Sequence, residues 1–407
     1  MPFRIALSGL NAAQTDLSVT GNNIANASTA GFKGSRTEFA DVYAVSFEGI
    51  GNTATGNGVA VTSVTQNFSQ GNVDFTERNL DLAVSGQGFF VVNDSTGQSF
   101  TRAGAFHIDR DGLMVYQGGQ TLQVFPAIAG GGGFNTGVLS DIQLLTSDGP
   151  PQATSDIDVS LNLSASDSIP VIAPFDPNDP TSFNNSTSTV IYDSLGTAHT
   201  STLYYVKSAV LNQWDAYQYV DGNEVASGGV SPISLTFNPD GTLAGPLNTA
   251  YDAVPSGTGA LPIQVDVSYL NSTQFGSPFA VNGLSQNGFT TGRLSGIDID
   301  NEGVVFARYT NGQSDPLGKV ALANFANVGG LSQAGDTAWN QTFDSGDLIL
   351  GEANTASFGV IQSGALEASN IDIAASLVNL ITAQRNFQAN AQVISAADTV
   401  TQTIINI

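Results

Sequence analysis

The chain of 407 residues contains no cysteine. Disulfides, iron–sulfur clusters and thiolate zinc sites are excluded, so the fold is held by burial, hydrogen bonds and neighbours. Positive charge is scarce: Lys and Arg total 11 against 35 Asp and Glu, a formal net charge of −24. Nucleic-acid binders neutralise phosphates with clustered Lys and Arg, so no nucleic acid is expected as a partner. Charged residues of both signs make up only 11% of the chain, which excludes a charge-rich disordered tail. No run is long and apolar enough to span a bilayer, so no membrane insertion is expected. The opening "MPFRIALSGLNAAQ" lacks the unbroken apolar core of a secretory signal, so export would use a route without a cleaved signal peptide. Finally, the chain holds 45 Gly and 15 Pro, yet neither occurs after Gly364.

What is present is a surface-forming stock of Ser, Thr, Asn and Gln with abundant Gly, the composition of a β-rich protein working outside the cytoplasm. The Gly- and Pro-free end reads as one long helix. Its residues Ile373, Leu377, Leu380, Gln384, Phe387, Ala391 and Ile394 recur at alternating spacings of four and three. Apolar residues continue at Ala397, Val400 and Ile404. Near the start, Phe3, Leu7, Leu10, Gln14, Leu17, Gly21 and Ile24 follow the same rhythm, so both termini carry coiled-coil-like seams. "SNID" at 369–372 fits a capping box, with Asp372 in the first helical turn. An isolated amphipathic helix is marginal in water, so each needs a partner along its length. The other terminus and the termini of neighbouring copies are the natural candidates.

Between the helices the pattern is β. "LDLAVSGQGFFVV", "AFHIDRDGLMVY", "ISLTFNPDGTLAG" and "GIDIDNEGVVFARYTNG" read as strands broken by Gly- or Asp-Gly turns. Gly-, Pro- and Asn-rich stretches near 127–154 and 271–288 bracket a segment with its own strands. The expected fold class is mainly β with long terminal α-helices. The helices pair as a coiled-coil-like inner domain, followed by two β-rich outer domains, one inserted in the other. The expected boundaries are residues 1–30 and 365–407 for the helical domain and 31–75 for an extended connector. A discontinuous β domain takes 76–146 and 286–364, and the inserted domain takes 147–285.

No catalytic constellation emerges. "DIDNEG" at 298–303 starts like a calcium loop, but the twelfth position is Tyr309, so a hairpin turn is the better reading. The two histidines, His107 and His199, have no second His or Cys near them in sequence. Paired carboxylates such as Asp109 and Asp111 read as turn residues. No enzyme activity, metal or cofactor is expected.

"SGLNAAQTDLSVTGNNIANASTAGFKGSRTEFADVY" resembles the N-terminal signature of bacterial flagellar axial proteins, the rod and hook group. "FTRAGAFHIDRDGLMV" and "SGALEASNIDIAASLVNLITAQRNFQANAQVISAADTVTQTIINI" match the same group. "STVIYDSLGTAHTSTLYYVK" and "NGLSQNGFTTGRLSGIDIDNEGVVFARYTNGQS" resemble its hook branch. The resemblance implies a structural subunit that polymerises with itself into a curved, flexible tube with a central export channel, transmitting torque from rod to filament. A distal rod protein, which is much shorter, and a secreted β-rich adhesin are the alternatives. Implied partners are the distal rod protein, the hook cap protein, the hook–filament junction protein and the flagellar type III export apparatus. The implied location is the flagellar basal body and hook, outside the cell. Self-assembly would be carried by Phe3, Leu7, Leu10, Leu17 and Ile24 with Leu377, Leu380, Gln384, Arg385, Phe387, Ile394 and Ile404. Asn22, Asn23, Asn26, Gly31 and Phe32 match the family's NNIAN…GFK element and would turn the chain from helix to β body.

A net charge of −24 per copy opposes self-association, and that repulsion is screened over about 8 Å at physiological salt. Light scattering across a salt series should show self-association strengthening as salt rises; weakening would contradict the inference.

Overall fold

The computed structural model describes residues 2–42, 56–94, 97–128, 132–144, 148–257, 259–355 and 357–405. These form two compact units: residues 1–145, 296–308 and 314–407 in the first, and 146–295 with 309–313 in the second. Helix α1 (Pro2–Ala25) opens the chain and helix α2 (Ile373–Ile405) closes it, with β structure between.

The first unit is built on a large twisted sheet. Its middle runs in the order Ser314–Phe325, Thr121–Pro126, Phe89–Asp94, Gly97–Thr101 and Ala338–Asn340. The unbroken "FFVV" at 89–92 is explained by position, because a central strand covered on both faces alternates between two cores. Phe90 and Val92 enter one cluster with Leu122, Val124, Val320 and Leu322. Phe89 and Val91 enter the other with Phe125, Ala321, Ala323 and Trp339. Two short antiparallel ladders tie the C-terminal approach to this body: Leu82–Ser85 with Val360–Ser363, and Val73–Phe75 with Ala365–Glu367. Within 31–75, Ser35–Asp41 pairs antiparallel with Val59–Gln66. Trp339 Nε1 donates to Gln66 Oε1 at 2.7 Å, pinning that pair to the body.

The second unit is a sandwich around one core. A six-stranded sheet contains Asn185–Tyr192, Ala198–Lys207, Gln213–Val220 and Ile233–Phe237; a four-stranded sheet contains Asp156–Asn162, Asp266–Ser268 and Ala280–Gln286. Ile157, Leu161 and Val267 from one sheet meet Leu203, Trp214 and Leu235 from the other. Gln213–Val220 alternates strictly, with Trp214, Ala216, Gln218 and Val220 buried. Its outward Tyr217 stacks on Phe175, with ring centroids 4.1 Å apart.

The turn readings of the carboxylates hold. Asp300 Oδ1 accepts the N–H groups of Glu302 and Val304, and Asp109 Oδ1 accepts those of Asp111 and Leu113. Among the described residues no group of three or more His, Cys, Asp or Glu could hold a metal ion. The capping reading needs correction. Helix α2 begins at Ile373, and Asp372 is the cap itself, accepting the N–H groups of Ala374 and Ala375 at 2.8 and 3.1 Å. Ser369 Oγ accepts the Ile371 N–H, not that of Asp372, so "SNID" does not close as a box from Ser369, and Asn370 bonds to Gly34 and the 67–69 segment.

His199 also has partners that sequence distance hides. Its Nδ1 lies 2.6 Å from Asp221 Oδ2 and its Nε2 3.4 Å from Asp193 Oδ2, so one buried ring ties two turns together. Burial works against the charged ring, but the hydrogen bonds and charges of Asp221 and Asp193 outweigh it and raise its pKa above 6.5. Asp221 is also opposed by burial, yet the His199 hydrogen bond holds it below 3.8. The His199 stabilisation is complete below pH 6.5 and is lost as pH rises through its raised value; the Asp221 part is lost only as pH falls below 3.8. Melting curves of the wild type against His199→Gln should converge as pH rises above neutral and diverge most between these limits. A pH-independent difference would contradict the arrangement.

Candidate assembly site

Helices α1 and α2 pack antiparallel. Gly34, just after α1, donates its N–H to Asn370 Oδ1 just before α2, and Gly9 sits beneath the Asn390 side chain. A Cβ on Gly9 would lie 2.6 Å from Asn390 Oδ1, so a larger residue there would displace the Asn390 side chain. With Gly9 opposite Asn390, equal rise along both helices brings the start of α1 opposite Ala397, and the last turns of α2 run on past α1.

Helix α1 is covered on two faces. One lies on the Ser35–Asp41 and Val59–Gln66 pair: Val59 N–H donates to Ser8 Oγ, and Asn23 exchanges two hydrogen bonds with Ser35, at 2.7 and 2.9 Å. A second faces α2 and comprises Ala6, Leu10, Ala13, Leu17, Thr20 and Ile24, all buried or half-buried. On α2 the matching face is Ser376, Leu380, Ala383, Phe387, Asn390, Ile394 and Ala397. Both follow the four–three rhythm, yet each differs from the sequence seam at every second position. Leu10, Leu17, Ile24, Leu380, Phe387 and Ile394 lie on the inner faces. Phe3, Leu7, Leu377, Gln384 and Arg385 are exposed instead. The inner positions between the large residues are mainly Ala, Ser, Thr and Asn, because the helices approach closely. Small residues carry no apolar periodicity, so that reading missed them. Ile404 lies on α2, but its side chain falls outside the described residues.

The outer surface of α2 is apolar and open. Ile373, Leu377, Val378, Ile381, Val393 and Val400 are each 45–62% exposed. Phe3 is 51% exposed and Leu7 41%. A single chain therefore leaves two apolar patches of α2 in water after its own helices have paired, Ile373–Ile381 near its start and Val393 with Val400 toward its end, with Gln384, Arg385 and Gln388 exposed between them.

The base of the helix pair is held by a buried ionic cluster absent from the sequence reading. Lys33 Nζ lies 2.6 Å from Glu367 Oε1, and Arg102 Nη1 lies 3.1 Å from Glu367 Oε2. The three side chains are all but inaccessible. Lys33 also donates to the Ser69 carbonyl at 2.8 Å, Gly71 N–H to Glu367 Oε1 at 2.9 Å, and Arg102 Nη2 to the Gly86 carbonyl at 2.7 Å. Burial pulls Lys33 and Arg102 below their usual values, and Glu367 opposes the shift in both. Gly31 sits against this cluster with φ +70, and a Cβ there would meet the Ala103 nitrogen at 2.4 Å. Its N–H donates to the Glu367 carbonyl at 2.7 Å. Asn26 Nδ2 donates back to Asn22, closing the end of α1. Asn22, Asn23, Asn26 and Phe32 line a cleft of about 760 Å³ whose far wall includes Leu331, Gln333 and Trp339. The available signal for the cluster was scarcity itself: Lys33 and Arg102 are two of only 11 cations.

Four family models match segments of the chain. They are the flagella basal body rod protein model over residues 3–33, the flagellar hook protein FlgE/F/G D1 domain over 83–162, the flagellar basal body protein FlaE D2 domain over 162–289, and the flagellar basal body rod FlgEFG protein C-terminal model over 362–407. The chain is 38% identical over 412 residues to the flagellar hook protein FlgE of Escherichia coli, covering 100% of both chains. It is 37% identical over 423 residues to that of Salmonella typhimurium, again covering 100% of both. The hook protein FlgE of Rhizobium meliloti matches at 33% identity, over 100% of this chain and 98% of that one. A crystal structure of Helicobacter pylori flagellar hook protein FlgE2 shares the fold, with a TM-score of 0.55 at 15% identity, over 72% of this chain and 100% of that one.

Removing one partner from a buried charge cluster strands the others, at a cost of about 3–5 kcal/mol. Glu367→Gln should lower the free energy of unfolding of the first unit by about that amount, measured by denaturant titration. A change below about 1 kcal/mol would show that the cluster does not hold the base of the helices.

Proposed function

The chain belongs to the bacterial flagellar hook protein family, and from that premise we propose that it is the repeating structural subunit of a flagellar hook. In this reading copies stack helically into a curved, flexible tube that carries torque from rod to filament around a central export channel. The observation that carries it is the exposed apolar surface of α2, above all the patch of Ile373, Leu377, Val378 and Ile381, left open after α1 has covered another side of the helix. Apolar patches larger than a few hundred Å² mark interaction surfaces in soluble proteins, and in a self-assembling family the covering surface is another copy. The matched relatives are hook proteins from end to end, which favours the hook over a distal rod component.

The interface residues divide accordingly. Leu10, Leu17, Ile24, Leu380, Phe387 and Ile394 hold the helices of one chain together. Phe3, Leu7, Leu377, Gln384 and Arg385 face neighbouring copies, with Ile404 on the part of α2 that runs past α1. Asn22, Asn23, Asn26, Gly31 and Phe32 set the direction in which the chain leaves α1. The helical domain is residues 1–30 with 365–407, the connector 31–75, the discontinuous β domain 76–146 with 286–364, and the inserted domain 147–285. The distal rod protein, hook cap protein and hook–filament junction protein are the neighbours in this reading. The chain reaches its place outside the cell through the flagellar type III export apparatus. The absence of cysteine suits a chain threaded unfolded, because no disulfide obstructs passage.

Purified full-length protein should form tubes visible by electron microscopy. A form lacking residues 1–30 and 370–407, which retains Lys33, Arg102 and Glu367, should remain a soluble monomer. In the full chain, Leu377→Asp with Ile381→Asp should abolish tubes with little change in melting temperature, since both side chains are already exposed. Tube formation by either variant at wild-type concentration would refute the reading.

A further inference from the structure

We propose that Asn57 is a site of spontaneous covalent modification, deamidation through the Asn57–Gly58 peptide, and that it converts before any other Asn–Gly pair of the chain. The sequence holds four such pairs: Asn57–Gly58, Asn282–Gly283, Asn287–Gly288 and Asn311–Gly312. Glycine after asparagine leaves the peptide nitrogen unshielded by a Cβ. That nitrogen attacks the side-chain Cγ. The new bond joins nitrogen to Cγ, the bond from Cγ to the amide NH2 breaks, and ammonia leaves with the proton from the peptide nitrogen. Water then opens the cyclic imide at either carbonyl, giving aspartate or isoaspartate. No oxidant, reductant or enzyme takes part. The step needs a side chain free to fold back on its own backbone and a peptide nitrogen free to attack, so the four pairs can be ranked by what holds them.

Three pairs are restrained. Asn287 Oδ1 accepts the N–H groups of Ser155 and Asp156, and its Nδ2 donates to Ser155 Oγ at 2.8 Å and Asp156 Oδ2 at 2.9 Å. The attacking nitrogen there, that of Gly288, is engaged by Gln286 Oε1 at 2.5 Å. Asn311 Nδ2 donates to the Thr290 carbonyl at 2.8 Å, its Oδ1 accepts the Gln313 N–H, and the Gly312 N–H donates to the Tyr309 carbonyl. Asn282 is exposed, but its backbone lies inside the strand Ala280–Gln286, with Val281 and Gly283 in register with Leu161 and Ser160. Asn57 lacks all of these restraints. It is exposed and lies outside any strand, and among the described residues neither its side chain nor the Gly58 nitrogen makes a hydrogen bond. The bonds around it, Asn57 N–H to the Val42 carbonyl and Val42 N–H to the Gly58 carbonyl, fix neither reacting group. The site also adjoins α1: Gly58 lies beneath Ser8, and Val59 N–H donates to Ser8 Oγ at 3.2 Å. Conversion adds a negative charge beside this contact and, as isoaspartate, lengthens the backbone entering it by one methylene.

The test follows the four Asn–Gly peptides of the full-length chain by peptide mapping and mass spectrometry during incubation in mildly alkaline buffer, with a parallel sample in denaturant. In the folded chain Asn57 should convert first, about tenfold or more faster than Asn287 and Asn311, whose hydrogen bonds must break before reaction. In denaturant the four rates should draw together, which shows that the fold and not the neighbouring sequence sets the order. Asn57→Gln, whose longer side chain closes the ring poorly, should remove the early isoaspartate signal from the folded chain. Conversion of Asn282, Asn287 or Asn311 as fast as Asn57 in the folded chain would overturn the assignment. So would an Asn57 that stays intact when folded yet converts in denaturant, or an order that persists unchanged in denaturant.

Discussion

The buried Lys33–Glu367–Arg102 cluster is the constraint on which the rest depends. Its members lie 334 and 265 residues apart in sequence, so it exists only once the chain's two ends have met its β body. Three charges out of water are costly, and their attraction repays that only with good geometry and full hydrogen bonding. Ser69, Gly71 and Gly86 satisfy most of the remaining groups here, and the buried Arg102 Nε–H alone of the guanidinium nitrogens is left without a partner. Such a cluster adds less stability than an apolar plug of equal volume, but breaking it is costly, so it favours one arrangement. The direction in which α1 and α2 leave the body follows from it.

That direction matters because of how burial is shared between the helices. The inner faces use Ala6, Ala13 and Ala383 to bring the axes close, and the large residues alternate with them. Much of the remaining apolar area points outward. A chain meant to be a monomer would carry polar residues at Leu377, Val378 and Ile381. Here those positions are apolar and exposed, a surface that further copies would cover. Assembly then proceeds by burial rather than by charge, as a subunit of net charge −24 requires.

Much of this was legible in the sequence. The terminal helices, the strand–turn–strand segments and the family resemblance all follow from residue patterns of short range. The four–three rhythm located the large residues of the helix seam, Leu10, Leu17, Leu380 and Phe387. It could not locate the small ones, because alanine is common on any helix face and periodicity in large side chains averages between two adjacent apolar stripes. Leu377 and Gln384 were therefore placed in the same seam as Leu380, although they face outward. The ionic cluster and the His199 pair of carboxylates were invisible for a different reason. Each joins residues through tertiary pairing, and local pattern carries no information about pairing. Asp372 shows the same effect at small scale, since Ser369 and Asn370 bond within the chain entering the helix and Asp372 itself caps it.

The central claim is that the outer face of the terminal helices is completed by neighbouring copies. Amide hydrogen exchange across residues 373–405, compared between free monomer and assembled tubes, tests it most directly. The account predicts rapid exchange in the monomer, fastest beyond Ala397 where α2 has run past α1, and strong protection along the whole helix after assembly. Equal protection in the two states would show that the chain completes its own helices, and would contradict the account.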